Sequence, residues 1–222
     1  MGWAREAGLE RKEAGGVMRG RGQILDMFRR WDARPDAVPL AEIVDSLKLL
    51  DLDRAELAEA VGFDERIYRR VSIHRRPHYE ALVLCWKSGQ RSPIHNHEGS
   101  SCAVRVVEGQ ATETRYAMTP CNLLVPMRSE SFLPGSVIGC RGCCVHQMAN
   151  WEAADRDLIT LHVYSPPPRC WRYFTLDETA LVDHDRLIRD RGETLIADLA
   201  HHHSRGPMGI GRRVRGGMPW KT

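Results

Sequence analysis

The amino-acid sequence predicts a mainly β domain, an antiparallel sandwich or barrel of the jelly-roll kind, with α-helices before it and a short helical region after it. After Tyr68 the chain contains six short runs that are rich in β-branched and aromatic residues and are separated by Gly, Pro and Asn. They follow one another at intervals of roughly 8–20 residues, as the strands of antiparallel all-β domains do. Before Tyr68, apolar residues recur at helical spacing instead.

Three helices are predicted ahead of the strands. Apolar residues recur at helical spacing over residues 24–31 and again over residues 39–50, and prolines mark the boundary between the two segments. Asp53 is placed to cap a third helix that ends at Gly62, with inward-facing residues Leu57, Ala58 and Val61.

The expected strands are punctuated by glycines. The six strands cover residues 79–86, 101–109, 111–116, 122–126, 129–134 and 157–165. Gly89, Gly109 and Gly135 are interpreted as turn positions that accept a positive φ. Beyond Asp177 a last helical pattern runs through Leu181, Leu187, Ile188, Leu195 and Ile196.

Length and composition favour a single domain. The chain has 222 residues, of which 42% are hydrophobic and 27% charged, so it can bury one sizeable core, which we assign to residues 23–200. Residues 1–22 mix charges with glycine and are expected to be a disordered extension, and residues 201–222 are expected to be a disordered basic tail. We expect the protein to be a monomer.

Charge and cysteine content argue against several classes of protein. The formal charge of +3 comes from the two ends, because residues 25–200 contain 22 basic and 26 acidic residues, and this balance argues against a nucleic-acid-binding groove. No run approaches the roughly 20 apolar residues of a membrane-spanning helix. Seven cysteines, an odd number without an apolar signal segment, fit a reducing cytoplasm better than a secreted disulfide framework.

His95 and His97 are the candidate core of a metal site. In an extended strand, side chains at i and i+2 leave the same face, so the pair offers two imidazoles to one point. A third ligand must come from elsewhere, and His146 is the candidate. The simpler interpretation is that these histidines are hydrogen-bonded core or surface groups whose spacing is accidental.

The spacing around these histidines resembles the two motifs of the cupin superfamily, G-x5-H-x-H-x4-E-x6-G and G-x5-P-x-G-x2-H-x3-N. The matching residues are Gly89, His95, His97 and Gly109 in the first motif and Gly135, His146 and Asn150 in the second. Cys102 stands where the first motif has its glutamate, and Arg141 and Cys143 replace the proline and glycine of the second. The metal would therefore be held by neutral imidazoles and no carboxylate, unless Cys102 is itself a ligand.

Glutamate replaced by cysteine is the hallmark of the cysteine dioxygenase type I family of cupin thiol dioxygenases, and this chain resembles that family over about residues 62–175. The resemblance is carried by ALVLCWKSGQRSPIHNHEGSSC, LHVYSPP and the element Tyr68-Arg69-Arg70. It implies an enzyme with Fe(2+) on the three histidines that oxidises L-cysteine with O2 to cysteine sulfinic acid. Arg70 would hold the substrate carboxylate, with Tyr68 lining the same pocket.

The family also has a serine, a histidine and a tyrosine in a row beside its iron. Thr160, His162 and Tyr164 stand at these places and, since they alternate with aliphatic residues, share one face of a strand. Thr160 and His162 would orient the Tyr164 phenol, although a purely structural hydrogen bond would also explain the row. Cys102 matches the cysteine that, in eukaryotic members, joins this tyrosine through a thioether bond.

Two other functions remain open. One is a 3-mercaptopropionate dioxygenase, whose relatives generally carry glutamine at the position of Arg70. The other is a metal-binding cupin sensor without turnover, for which the row ending in Tyr164 would be unnecessary. Cys140, Cys143 and Cys144 resemble a redox or zinc element, but no second cysteine pair follows at zinc spacing, so small buried thiols are the favoured interpretation.

Overall fold

A computed structural model describes residues 21–120, 123–174, 179–183 and 212–213. Two α-helices, α1 (Arg21–Asp32) and α2 (Leu40–Leu49), and a short 3-10 helix (Ala55–Leu57) precede the strands. The strands are β1 (Arg69–Arg76), β2 (Tyr79–Trp86), β3 (Ile94–Asn96), β4 (Ser101–Glu108), β5 (Ala111–Met118), β6 (Leu123–Phe132), β7 (Val137–Cys140), β8 (Val145–Ala149), β9 (Leu158–Ser165), β10 (Cys170–Phe174), β11 (Thr179–Asp183) and β12 (Arg212–Arg213). Within these ranges, no helix has the length and apolar character needed to cross a membrane.

The described strands form two antiparallel sheets. The five-stranded sheet has the order β1-β2-β9-β4-β7, and the seven-stranded sheet has the order β11-β10-β3-β8-β5-β6-β12. Strands far apart in sequence become neighbours, as when β9 lies between β2 and β4, because the chain crosses repeatedly from one sheet to the other. The predicted jelly-roll, mainly β fold class is confirmed.

The five-stranded sheet is covered on both faces. Its outer face packs against the helices in a cluster that contains Ile24, Met27, Trp31, Ile43, Leu47, Ala81, Val83, Leu161 and Val163. Its inner face packs against the seven-stranded sheet in a cluster that contains Leu84, Trp86, Cys102, Val104, Tyr164, Met148, Trp171 and Tyr173. Strands β2 and β9 are consequently buried along their whole length.

The first two helices form where the apolar spacing predicts them. The buried residues of α1 are Ile24, Met27, Phe28 and Trp31, which follow the i, i+3, i+4, i+7 pattern of one helix face. Helix α2 buries Ile43 and Leu47 against the same sheet. Each such side chain contributes about 1.5–3 kcal/mol on burial, so packing rather than helix propensity holds this layer in place.

The prediction of a third helix was wrong. Asp53 does cap the segment, because its Oδ1 accepts hydrogen bonds from the backbone N–H groups of Ala55 (2.7 Å) and Glu56 (3.3 Å). The segment nevertheless forms only a 3-10 turn, in which Leu57 and Ala60 are buried and Ala58 is exposed. Burial at i and i+3 matches the three-residue period of a 3-10 helix, so nothing drives the turn to continue as an α-helix.

Two further sequence predictions need correction. The runs at 122–126 and 129–134 belong to one strand, β6, and the register beside β5 shifts so that Tyr116 lies opposite Pro126. A bulge at that point accommodates a proline, which has no N–H to donate. Leu181 lies in β11 rather than in a helix. The rest of that helical pattern, residues 187–196, lies outside the described residues.

The chain ends remain predictions. Within the tail, Arg212–Arg213 forms β12 beside Leu123 and Leu124 of β6, and α1 begins at Arg21, two residues before the predicted start of the domain. The other residues of the two ends lie outside the part of the chain that the structure describes.

The three turn glycines have the expected backbone conformation. Gly89, Gly109 and Gly135 have φ values of 81°, 77° and 89°. At Gly109 a Cβ would also lie 2.2 Å from the carbonyl oxygen of Asp157. The turn from β4 to β5 therefore requires glycine for both its dihedral angle and its close approach to the segment leading into β9.

Asp32, the last residue of α1, ties the helical layer to β1 and β2. Its carboxylate accepts a hydrogen bond from the Tyr79 hydroxyl (2.7 Å) and lies 2.9 Å from Nε2 of His74 and 2.7 Å from Nη2 of Arg76. Burial alone would raise the pKa of Asp32, but the hydrogen bonds from Arg76, Tyr79 and His74 outweigh it and hold the pKa well below its usual range.

Replacing this carboxylate should destabilise the fold in a pH-dependent way. Asp32→Asn is expected to lower the free energy of unfolding at pH 7 by about 2 kcal/mol, since hydrogen bonds to a charged group are lost. Because the folded-state pKa is depressed, this contribution is present above about pH 4 and declines as the pH falls further. Urea unfolding at pH 7 and pH 3 measures it, and the exposed Asp36→Asn is the control. An equal difference at both pH values would contradict the assignment.

Candidate active site

Three histidines converge between the two sheets. His95 in β3 lies directly opposite His146 in β8, and His97 follows β3. The Nε2 atom of His97 lies 3.0 Å from that of His95 and 3.3 Å from that of His146. All three side chains are buried, and their candidate ligand atoms lie within 4.8 Å of one another.

The outer ring nitrogens determine which atoms can coordinate a metal. Nδ1 of His95 lies 2.9 Å from the carbonyl oxygen of Pro93, and Nδ1 of His146 lies 2.7 Å from Oε1 of Glu113. Both partners accept hydrogen bonds only, so each Nδ1 carries the proton. Burial, together with neighbouring His146, lowers the pKa of His95 and of His97 well below the usual range. The Nε2 atoms of His95 and His146 therefore both point toward Nε2 of His97.

This arrangement fits a divalent transition metal. Ring nitrogens at this separation share either a proton or a cation, and imidazoles suit iron, copper, nickel and zinc. The described group that could share one ion consists of the three histidines and does not include Cys102. With three neutral ligands, a bound cation would retain its full charge and open coordination positions.

Glu113 was missed by the sequence analysis, although it bonds a candidate metal ligand. It is 2% exposed, and its second carboxylate oxygen accepts a hydrogen bond of 2.8 Å from Nε of Arg115. Burial would raise the pKa of Glu113, but the hydrogen bonds from His146 and Arg115 outweigh it and keep the pKa below its usual value. One signal was present in the sequence: Glu113 shares a strand face with the small apolar Ala111, which is fully buried.

The three histidines line a cavity whose volume is about 330 Å³ when the space at its opening to solvent is included. Most residues in the cavity wall have aromatic, apolar or imidazole side chains, and Arg70 contributes a guanidinium group. The remaining wall residues are Tyr68, Leu84, Trp86, Ser92, Cys102, Met148, His162, Tyr164 and Trp171. Every residue that the sequence analysis assigned to the site lines this cavity except Thr160, which lies behind His162.

Arg70 and Tyr68 reach the cavity from the start of β1. The guanidinium carbon of Arg70 lies 5.2 Å from the ring centroid of Trp171, which is a cation–π contact. No carboxylate among the described side chains forms an ion pair with Arg70. Tyr68 stacks on Trp86 with ring centroids 4.1 Å apart. Arg69 is exposed on the other side of the strand. Among the described residues, Arg70 thus forms no ion pair, although the carboxylate of Glu80 acts on it from a greater distance.

The row on β9 forms a continuous hydrogen-bonded chain on the inner face of the sheet. Oγ1 of Thr160 lies 2.9 Å from Nε2 of His162, and Nδ1 of His162 lies 3.3 Å from the hydroxyl of Tyr164. Burial, with Arg70 nearby, lowers the pKa of His162 to about 3, and burial raises the pKa of Tyr164 well above its usual value. Both groups are neutral near pH 7, so the phenol retains its proton beside the histidines.

Cys102 lies opposite Tyr164 in the pairing of β4 with β9. Burial raises the pKa of the Cys102 thiol, and the thiol interacts with the Tyr164 hydroxyl. On the other side of β4, Cys102 is opposite Cys140, which is also buried, whereas Cys143 is exposed. The two residues proposed as a cross-linked pair are therefore cross-strand neighbours on the inner face.

The family model for cysteine dioxygenase type I matches residues 12–176 of this chain. The chain belongs to the cysteine dioxygenase type I family. The match includes the three histidines, Arg70 and the row on β9, and it agrees with the resemblance seen in the sequence.

Two relatives illustrate the distance within this family. Cysteine dioxygenase type 1 of Homo sapiens is 27% identical over 141 residues, which cover 60% of this chain and 68% of the human protein. The Danio rerio protein of the same name is 24% identical over 147 residues, or 63% of this chain and 71% of that protein. Family membership and the three-histidine group together support a metal-dependent thiol dioxygenase.

Solved structures of similar shape are more remote than these family relatives. A protein from Thermus thermophilus aligns with a TM-score of 0.43 and 18% identity, over 50% of this chain and 95% of its own. A Klebsiella pneumoniae protein with a double-stranded β-helix domain aligns with a TM-score of 0.45 and 15% identity, over 53% and 87%. At such TM-scores the fold assignment rests on the two sheets themselves.

The hydrogen bond between Glu113 and His146 makes a prediction for metal affinity in this cysteine dioxygenase family member. Glu113→Gln is expected to weaken binding of a divalent metal, with Fe(2+) as the probe, by about 10–100-fold, because a carboxylate that fixes and polarises a candidate ligand histidine is lost. Anaerobic competition with a chelator measures the dissociation constant. Glu108→Gln, which alters a surface ion pair with Arg54, is the matched control and should retain wild-type affinity. Equal affinity in both variants would contradict this role for Glu113.

Proposed function

We propose that this protein is an iron-dependent dioxygenase that oxidises L-cysteine to cysteine sulfinic acid, with both oxygen atoms of O2 transferred to the sulfur. The observation that carries the proposal is the cavity, which combines three histidine Nε2 atoms, the guanidinium of Arg70 and the phenol of Tyr164. A metal, an anion-binding group and a proton donor are the three elements that this reaction requires of its site.

The three histidines would hold Fe(2+) through Nε2 of His95, His97 and His146. When bound there, iron supplies a Lewis-acidic and redox-active centre that lowers the pKa of a thiol and reacts with O2. Family membership supports the choice of iron, and neutral imidazoles are ligands that suit it.

Arg70 would bind the substrate carboxylate. A guanidinium can donate two parallel hydrogen bonds to a carboxylate, and inside a cavity lined by aromatic groups this interaction is stronger than in water. The Trp171 ring beneath Arg70 restricts the guanidinium before substrate arrives, so less entropy is lost on binding. L-Cysteine carries both the thiol and the carboxylate that such a site would recognise.

Tyr164 would act as a hydrogen-bond donor to substrate sulfur or oxygen. Its ring centroid lies 5.1 Å from that of His97, so the hydroxyl is beside the metal centre. His162 and Thr160 would hold the phenol in position through the hydrogen bonds of the row. We propose a monomeric cytoplasmic enzyme whose partners are a small thiol and O2, and not nucleic acid or membrane.

Oxygen uptake decides between this proposal and its alternatives. Protein reconstituted with Fe(2+) is mixed with L-cysteine, 3-mercaptopropionate or cysteamine, and consumption of O2 and formation of the sulfinic acid are followed. We expect the highest kcat/KM with L-cysteine. Preference for 3-mercaptopropionate would identify a different thiol dioxygenase, and iron-loaded protein that consumes no O2 with any of the three thiols would support a sensor.

Arg70→Ala tests the carboxylate contact separately from the metal. The variant is expected to retain iron but to lose about 100-fold in kcat/KM for L-cysteine, because a charge-assisted, two-point contact is removed. Cysteamine has no carboxylate, so its kcat/KM should change little. Arg69→Ala, a neighbouring exposed arginine, is the control and should behave as wild type. Equal losses of kcat/KM with both thiols would contradict the proposal that Arg70 binds the substrate carboxylate.

We also propose that Cys102 and Tyr164 form a thioether bond, supported by their cross-strand pairing. The bond forms between Sγ and a ring carbon of the tyrosine as the S–H bond and one ring C–H bond break, and O2 accepts the two hydrogen atoms and is reduced to hydrogen peroxide. Incubation of the iron-loaded protein with L-cysteine and O2, followed by full reduction of disulfides, should leave a species lighter by two hydrogens in intact-mass spectra, and Cys102→Ser should abolish it. Persistence of the lighter species in Cys102→Ser would contradict the assignment.

A further inference from the structure

Trp86, the last residue of β2, extends the row on β9 by one hydrogen bond. Its indole Nε1 donates to Oγ1 of Thr160 at 3.0 Å, and the two side chains are 1% and 0% exposed. The hydrogen-bonded chain therefore runs from the indole through Thr160 and His162 to the Tyr164 hydroxyl. An indole N–H can only donate, so one end of this chain has a fixed polarity.

That end determines where the other protons of the chain can go. The Thr160 oxygen accepts from Trp86, and its own proton needs an acceptor. If Thr160 donates to Nε2 of His162, then Nδ1 of His162 carries the ring proton and donates to the Tyr164 oxygen. The donors of Trp86, Thr160 and His162 are then all used, and the phenolic proton of Tyr164 points away from His162 toward the cavity.

The opposite direction leaves one proton without a partner. If Tyr164 donated to Nδ1 and His162 donated from Nε2, the Thr160 oxygen would accept two hydrogen bonds. Its own buried proton would then find no acceptor, since the described contacts of Oγ1 are Trp86 and His162 alone. A buried unsatisfied donor is costly, and an acceptor in place of the indole would have favoured this reverse direction.

We infer that Trp86 is a positioning residue, whose indole N–H directs the hydrogen bonds of the row so that Tyr164 presents its proton to the cavity. The surroundings agree with this direction. Burial holds the pKa of His162 to about 3, so the ring has a single N–H to place, and Tyr164 also interacts with the Cys102 thiol on its cavity side. Stacking on Tyr68 holds the indole plane in place.

The tautomer of His162 is the direct test, and it does not depend on any enzymatic activity. In a two-bond 1H–15N spectrum of the metal-free full chain with 15N-labelled histidine, His162 should be protonated at Nδ1, with its signals assigned by their loss in His162→Gln. Protonation at Nε2 in the wild-type protein would overturn the inference. In Trp86→Phe, where water can enter beside Thr160 and accept its proton, the Nε2–H form should become detectable.

Kinetics test the consequence, and this part rests on the proposed function. Trp86→Phe should lower kcat for L-cysteine by about tenfold, a loss on the scale of a misplaced proton donor, with a smaller change in KM. Trp31→Phe removes another buried indole, which bonds none of the described residues and lies in the helical layer, and should retain wild-type kcat.

A double substitution tests whether Trp86 acts through Thr160. Thr160→Val should lower kcat about as much as Trp86→Phe, and the double variant should be no slower than either single one. Additive losses would contradict action through Thr160. If Trp86→Phe does not fold, two measurements still test the inference. One is the His162 tautomer in the wild-type protein, and the other is the kcat of Thr160→Val compared with that of Thr160→Ser, which retains the hydroxyl. An inactive wild-type protein with the Nδ1–H tautomer would refute the proposed function and leave the direction of the row established.

Discussion

Burial of both faces of the five-stranded sheet is the constraint on which the rest of the structure depends. The helices cover one face and the second sheet covers the other, so polar side chains on β2 and β9 have no water to bond. Each must find a partner inside the protein. Trp86, Thr160, His162 and Tyr164 meet this requirement by bonding one another in sequence, which places an ordered phenol at the wall of the cavity.

The electrostatics of the cavity follow from the same burial. Desolvation keeps His95, His97 and His162 neutral, so the imidazoles offer lone pairs or directed N–H groups rather than positive charge. Glu113 remains ionised because it is bonded by His146 and Arg115, and it faces a ligand rather than the cavity. Among the side chains that line the cavity, Arg70 then supplies the positive charge, which adds to that of a cation on the histidines.

The parts of the fold and of the candidate site that could be predicted from sequence are those whose residues lie close together along the chain. Alternation along an extended chain places His95 and His97 together, although His97 lies just beyond β3, and the same rule places Thr160, His162 and Tyr164 together, so these groupings were correct. The contact of Glu113 with His146 joins residues 33 apart in the chain, and a glutamate in an alternating strand resembles a solvent-facing residue. Strand β3 has three residues and β7 has four, so both strands are too short to show a recognisable alternation of apolar and polar residues. The prediction of a third helix was wrong because a single turn is enough to bury Leu57 and Ala60, and a longer helix is not needed.

The division of the site between the two sheets has a mechanical consequence. His95 and His146 belong to the seven-stranded sheet, whereas Arg70 and Tyr164 belong to the five-stranded sheet. The distance between the three histidines and Arg70 therefore depends on the separation of the two layers, and the apolar side chains packed there act as spacers. Enlarging or trimming a spacer such as Leu84 or Met148 would change the length of molecule that can bridge the two groups without altering either one. In the proposed enzyme, interlayer packing would therefore govern the length of substrate that fits, and that length could change through residues that take no part in the chemistry.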